Sequence, residues 1–239
     1  MDLPNLTTSS PRQPLAHPER DLRQREVIPP EALAVCHAVV VGVGAIGRQV
    51  ALQLAAIGVP LLILYDHDRV EEVNLAPQGY RPDQLTFAKV DATASDCQRT
   101  NPQVHVIPKA EFFRRSTARQ LSVAQSELVV FACVDSIGTR RLLWESVRSH
   151  AALYIDGRMS AEVLRVLAVD SPRGDSYYQT TLFAAEEAYT GSCTARSTIY
   201  TASIAAGLML SQFTKWLRRL PVDHDVTLNL LAAELTSTG

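Results

Sequence analysis

Residues 38–47 read Ala-Val-Val-Val-Gly-Val-Gly-Ala-Ile-Gly, and no other stretch restricts the possible folds as tightly. The β-branched run Val39, Val40 and Val41 has the continuous apolar character of a strand buried on both faces. It passes straight into Gly42, Gly44 and Gly47, spaced G-x-G-x-x-G. Ile46, Val50, Leu54 and Ile57 then recur at helical spacing. Strand, glycine turn and helix in this order make a phosphate cradle. Gly42 permits the tight turn, Gly44 lets backbone approach a phosphate, and Gly47 lets helix and strand pack closely. Amides at the helix start face the anion. A second apolar strand over residues 61–65 ends in Asp66, whose carboxylate can take ribose hydroxyls. The stretch is a nucleotide site, but these residues alone would equally suit an NAD dehydrogenase.

A chain of 239 residues can bury the core of one large α/β domain. Residues 1–18 are rich in Ser, Thr, Pro and small side chains without apolar periodicity, and read as a flexible tail. Residues 19–239 then form a single domain. A formal net charge of −2 gives no electrostatic case for nucleic acid or an anionic membrane. The start of the chain lacks a secretory pattern, and the apolar run over 204–210 is too short to span a bilayer. Cys36, Cys97, Cys133 and Cys193 contain no Cys-x-x-Cys pair, so neither zinc nor a disulfide framework is expected. A reducing, cytoplasmic setting fits this usage.

Along the chain, residues 20–27 are densely charged and suit a solvated helix face, and Pro29-Pro30 opens a short helix over 31–35. Residues 67–81 are polar, with Asn74, Pro77 and Gly79, and read as a long loop. A helix carrying Lys89 is expected over 83–100, a third strand over 104–107 and a short helix over 117–123. A fourth apolar strand over 128–133 runs into Asp135, placing a carboxylate at the strand edge where open α/β sheets bind ligands. A helix over 139–149 and a fifth strand over 153–155, ending at Asp156, follow. Residues 162–170 and 176–183 read as a hairpin across Pro172-Arg173-Gly174. Then come a loop over 186–194, a long buried helix over 197–217 and a closing strand over 226–231. The fold class is therefore α/β: a Rossmann-like, mostly parallel sheet with helices on both faces, extended by antiparallel strands in the C-terminal half.

Other positions arbitrate the nucleotide. The segment Asp66-His67-Asp68-Arg69-Val70-Glu71-Glu72-Val73-Asn74-Leu75-Ala76-Pro77-Gln78 closely resembles the Asp-x-Asp-x-Val-x-x-x-Asn-Leu-x-Arg-Gln signature of the ThiF/MoeB and ubiquitin-activating enzyme family. Lys89 matches that family's phosphate-binding lysine and Asn101-Pro102 its helix ending. Cys133 and Asp135 with Arg140 look like its Cys-x-Asp-x-x-x-x-Arg motif, and Arg20-Asp21-Leu22-Arg23-Gln24 resembles its Arg-x-x-Arg-Gln opening. The resemblance implies ATP- and Mg2+-dependent adenylation of the C-terminal glycine carboxylate of a small ubiquitin-like or sulfur-carrier protein. It implies that Lys89 neutralises phosphate, that Asp135 holds magnesium and that Asp66 binds ribose. Asp68, Asn74 and Gln78 line the nucleotide site, and Arg23 reaches into a partner subunit, which calls for a homodimer. The paired cysteines of the MoeB-like zinc site have no counterpart here.

Each position also has a plainer reading. Asp135 can cap the following helix, Lys89 and Arg23 can be solvated charges, and Asn74 can stabilise a turn. Pro77 replaces the family's arginine, so a phosphate cation is missing or comes from Arg48, Arg69 or Arg81; Ser136 replaces the usual Asn. Cys193 stands in Gly191-Ser192-Cys193-Thr194-Ala195-Arg196, before the long helix and near an arginine, a setting that lowers a thiol pKa. By resemblance it takes the acyl group as a thioester; otherwise it is an inert capping or core cysteine. The remaining cysteines read as core, Cys36 and Cys97 in helical contexts. Rival readings are adenylation of another peptide or small-molecule carboxylate without a thioester, an NAD(P)-binding oxidoreductase, and a non-catalytic dimeric scaffold. Any conjugating enzyme would have to dock on the compact body.

Overall fold

The computed structural model describes residues 19–118, 121, 127–183 and 197–238. The chain runs through α1 (Pro30–Ala34), β1 (Cys36–Val41), α2 (Ala45–Ile57), β2 (Leu61–Tyr65) and α3 (Glu72–Gln78). A single 3-10 turn (Pro82–Gln84) leads to α4 (Lys89–Thr100), β3 (His105–Lys109), α5 (Arg115–Ala118), β4 (Glu127–Ala132) and α6 (Ile137–Val147). The second half comprises β5 (Leu153–Ser160), β6 (Val163–Val169), α7 (Tyr177–Thr180), α8 (Ile199–Leu217), β7 (Asp225–Asn229) and β8 (Glu234–Thr238). All eight strands join one sheet in the order β3-β2-β1-β4-β5-β6-β7-β8. Pairing is parallel from β3 to β5 and antiparallel from β5 to β8. The expected α/β class holds.

Strand β1 lies near the centre because its side chains are apolar on both faces. Ala38 and Val40 pack into one core with Val50 and Leu54 of α2 and Ala205 and Met209 of α8. Val39 and Val41 pack into the other, with Leu143 and Trp144 of α6. The long helix buries one side, through Ala202, Ala205, Met209 and Phe213, while Tyr200 and Ile204 are exposed, so it is less fully buried than its small and apolar residues predict. Among the described residues no helix is long and apolar enough to cross a membrane.

Several expectations are corrected. The loop over 67–81 contains α3, whose start is fixed by reciprocal hydrogen bonds between Glu71 and Asn74. The helix over 83–100 starts only at Lys89, because a 3-10 turn and left-handed Thr86 (φ 72°) precede it. Residues 176–183 form no strand; β6 pairs with β5 and β7 instead. Here the Asp175 carboxylate accepts the Tyr178 N–H at 2.8 Å, and Tyr178 points inward to donate to Asp156 at 2.9 Å. The strand β7 is not the closing one, since β8 pairs on its outer side. Cys36 begins β1 rather than sitting in a helix, and the loop expected over 186–194 lies outside the described residues.

Asp156, fully buried, is the polar centre of the second core. Its carboxylate faces the guanidinium groups of Arg140 and Arg158, and Arg158 goes on to the Thr181 carbonyl at 2.9 Å. Removing one member of such a buried set strands the others without a counter-charge. Asp156→Ala should therefore cost about 3–5 kcal/mol, read as a fall in the urea midpoint, whereas Asp170→Ala on the surface should leave it in place.

Candidate functional site

The site is built on the carboxyl edge of β1, β2 and β4. Gly42 has a left-handed backbone (φ 85°), and a Cβ there would stand 2.7 Å from the Cys133 carbonyl oxygen. A Cβ at Gly47 would stand 1.8 Å from the carbonyl oxygen of Gly42, so α2 can sit this close to the turn only without a side chain. Around Gly44 the space is open: a Cβ would meet only Gln78 Oε1, at 4.0 Å. The cradle thus has room for an anion where the glycine spacing predicts one.

Asp66 fastens the turn. Its carboxylate accepts the Val43 N–H at 2.8 Å and the Asp68 N–H at 2.9 Å, and the Gly42 N–H donates to the Tyr65 carbonyl at 2.7 Å. A charge-assisted hydrogen bond of this kind is worth about 1.5–3 kcal/mol. Buried Lys89, the first residue of α4, places Nζ 2.9 Å from Asp68 Oδ2. Glycine turn, Asp66, Asp68 and Lys89 therefore form one connected group. Donor atoms of Asp66, His67 and Asp68 lie within 4.8 Å of one another. Both Asp66 oxygens already hold backbone N–H groups and Asp68 holds Lys89, so the trio braces the loop rather than offering vacant metal ligands.

Asn74 and Gln78 lie on α3. The Asn74 Oδ1 accepts the Glu71 N–H at 3.0 Å, the plainer turn-stabilising use, and its amide NH2 has no partner among the described residues. The Gln78 Oε1 is buried beside Gly44 and has no partner among the described residues. The arginines named as replacements for the cation lost at Pro77 are already engaged. Asp96 accepts from Arg48 at 2.8 Å, Arg81 at 2.7 Å and Gln84 at 2.9 Å, and Arg69 donates to the Thr86 carbonyl at 2.7 Å. The Arg48 guanidinium also lies over the Tyr80 ring at 4.9 Å, while the Tyr80 hydroxyl donates to the Val43 carbonyl at 2.7 Å. This Arg48–Tyr80–Asp96 brace behind the turn was not legible in the sequence, because Tyr80 and Asp96 match no motif.

Asp135 stands exposed just past β4, and among the described residues nothing pairs with its carboxylate. The capping alternative falls to its neighbour: Ser136 is the N-cap of α6, its hydroxyl accepting the Thr139 N–H at 3.4 Å. Arg140 is buried; it donates to the Val134 carbonyl and to Gly157 O at 3.2 Å, fixing the backbone on which Asp135 is carried. A single exposed carboxylate beside the glycine cradle fits magnesium, which keeps most of its waters and takes phosphate oxygens.

Arg23 is exposed and away from this group. Around it, Arg20 and Gln24 donate to the carbonyls of Ala56 and Ile57, at 2.9 and 3.0 Å, satisfying the C-terminal end of α2. Burial pushes the thiols of Cys36, Cys97 and Cys133 up to about 12. Cys193 lies outside the described residues.

The ThiF family model matches residues 23–237. The chain is 33% identical over 165 residues to the bovine (Bos taurus) adenylyltransferase and sulfurtransferase MOCS3, covering 63% of this chain and 36% of that protein. It is 42% identical over 110 residues to the ubiquitin-like modifier-activating enzyme 5 of Bombyx mori, covering 42% of this chain and 28% of the relative. The chain thus spans about a third of the length of these curated relatives. In fold it is similar to the crystal structure of PaaA (TM-score 0.74, 21% identity, 98% of this chain and 77% of that one). It is similar also to E. coli MccB (TM-score 0.70, 15% identity, 94% and 71%).

The glycine geometry separates folding from binding. Gly47→Ala should destabilise the fold by about 3 kcal/mol, since backbone must move to admit the methyl group. Gly44→Ala should keep its melting temperature and lose nucleotide affinity. Thermal melts with and without ATP check both outcomes.

Proposed function

The chain belongs to the ThiF family, and from that premise we propose that it adenylates the C-terminal carboxylate of a ubiquitin-like or sulfur-carrier protein, using ATP. The observation that carries this reading is the grouping on one sheet edge of an open glycine cradle, buried Lys89 and an uncommitted Asp135. An NAD-binding oxidoreductase has no use for the last two.

A carboxylate is ionised at neutral pH, so no general base is needed. Its oxygen attacks the α-phosphorus, the bond to the β-phosphate breaks, and pyrophosphate leaves with the electron pair. The difficulty is bringing two anions together in line. Lys89 would leave Asp68 to neutralise phosphate, and α2 directs its first amides at the same charge. Asp135 would hold magnesium, which supplies charge neutralisation at the phosphates. Asp66 would bind the ribose, and the free amide of Asn74 with Gln78 would contact the phosphate side. Arg23 would act across a homodimer; an arginine delivered in trans raises rates by about 10³–10⁵ in other phosphoryl-transfer enzymes.

In a second step the Cys193 thiolate would attack the acyl carbon and release AMP, giving a thioester that a conjugating enzyme can take. The other three cysteines are poor nucleophiles, being held protonated by burial. We place the reaction in the reducing cytoplasm, in keeping with the free thiols of these three.

Asp135→Ala should retain its melting temperature and lose carrier-dependent ATP–pyrophosphate exchange by at least about 10²-fold, the scale on which charge-stabilising groups act. Exchange at wild-type rate in this variant would exclude Asp135 from the chemistry. Cys193→Ala should keep exchange and lose the thiol-sensitive carrier conjugate on a non-reducing gel. A conjugate that persisted would remove Cys193 from the pathway and leave adenylation standing.

A further inference from the structure

The amino edge of the sheet carries a second concavity, at the opposite end of the strands from the glycine cradle. A cleft of about 630 Å³ lies between the C-terminal ends of α6 and α8 and the turn after β6. Small-molecule sites occupy about 300–1,000 Å³. Glu127, which lines the cleft, is separated from the Asp135 edge by the length of β4, roughly 20 Å. The walls are fixed by bonds made outside the space. Asp223 accepts from Gln212 at 2.9 Å and from Lys215 at 2.5 Å, which pins the loop before β7 to α8. Asp175 accepts the Tyr178 N–H at 2.8 Å and Pro172 is buried, which sets the turn after β6.

Three arginines, Arg148, Arg173 and Arg219, line this preformed space. Among the described residues none of their guanidinium groups donates a hydrogen bond or joins an ion pair. Arg48, Arg81, Arg140, Arg158 and Arg165, by contrast, each meet a carboxylate. Half-buried Trp216 rests on Phe213, with ring centroids 6.2 Å apart and planes 19° from parallel, and the Arg219 guanidinium lies over its ring at 5.9 Å. A guanidinium presents a planar fork of N–H donors that matches phosphate and carboxylate oxygens. An indole offers a flat apolar face. Glu127, Asp170 and Asp175 line the same cleft and balance the three arginines, so a polyanion would meet repulsion where a single anionic group would not.

We infer that this cleft is a second ligand site, taking a small organic anion: one phosphate or carboxylate group at the arginines, borne on a flat ring at Trp216. It is separate from the nucleotide site and stands without the adenylation reading.

The test is titration of the full chain with phenyl phosphate, benzoate and benzylamine, followed by tryptophan fluorescence. It compares wild type, Trp216→Phe and the double variant Arg148→Gln/Arg173→Gln. Trp144, the other of the two tryptophans, is fully buried, so the signal should vanish in Trp216→Phe. At least one of the two anions should give a saturable change that benzylamine does not, and the tighter of them shows whether phosphate or carboxylate is preferred. The double variant should melt with the wild type and bind that anion about 10- to 100-fold more weakly, the scale of one hydrogen bond to a charged group. Saturation by neither anion overturns the inference. So does equal binding of benzylamine, a signal that survives in Trp216→Phe, or an unchanged affinity in the double variant.

Discussion

Everything at this site depends on how closely α2 can approach the end of β1. The contact is made by the absent side chain of Gly47 against the carbonyl of Gly42, and it leaves no room for even a methyl group. That approach sets the first turn of α2 over the open cradle at Gly44, aiming unsatisfied amides at one point. The turn is then locked from two sides. Asp66 holds it through the Val43 N–H, and Tyr80, under Arg48, holds it through the Val43 carbonyl. Asp66 is thus structural, and on the proposed reading the same carboxylate that shapes the turn would also meet the ribose.

A second arrangement, across β4 and β5, carries Asp135. Arg140 pairs with Asp156 on the neighbouring strand and donates to the Val134 carbonyl, so the backbone just before Asp135 is pinned by a buried charge. Asp135 itself is left exposed and, among the described residues, unpaired, with the capping duty passed to Ser136. Desolvating Arg140 is costly, and Arg158 and Tyr178 share the Asp156 carboxylate with it. The expenditure goes into the shape of a strand edge rather than into a wider core.

The parts legible in the sequence are those coded locally. The β1–turn–α2 unit is continuous, its apolar pattern and glycines fall within twenty residues, and the observed elements match. The long helix was legible because small and apolar residues recur along its length, and it buries one side from Thr201 to Leu217. Segments governed by side-chain bonds were not. The helix α3 looks like a loop because it holds Pro77 and Asn74, and its start depends on a pair of Glu71–Asn74 hydrogen bonds. Residues 177–180 look like a strand by composition, yet Asp175 and the buried Asp156 bend them into a helical turn. In the site, Asp66, Lys89 and Asp135 could be named from their motif. The Asp96 brace on Arg48 and Arg81 could not, since its partners are 48 and 15 residues apart and share no pattern.

On the proposed reading, Pro77 would leave the phosphates with fewer cations than the family signature provides, placing more weight on Lys89 and the helix start. The central claim is that this edge transfers an adenylyl group to a carboxylate. The most direct measurement is intact mass spectrometry of a small β-grasp carrier ending in glycine, after incubation with the protein, ATP and magnesium. The account predicts a carrier heavier by one adenylyl group at its C-terminal carboxylate, absent when the terminal carboxylate is amidated. A carrier of unchanged mass while the protein consumes ATP, or AMP attached equally to the amidated form, would contradict it.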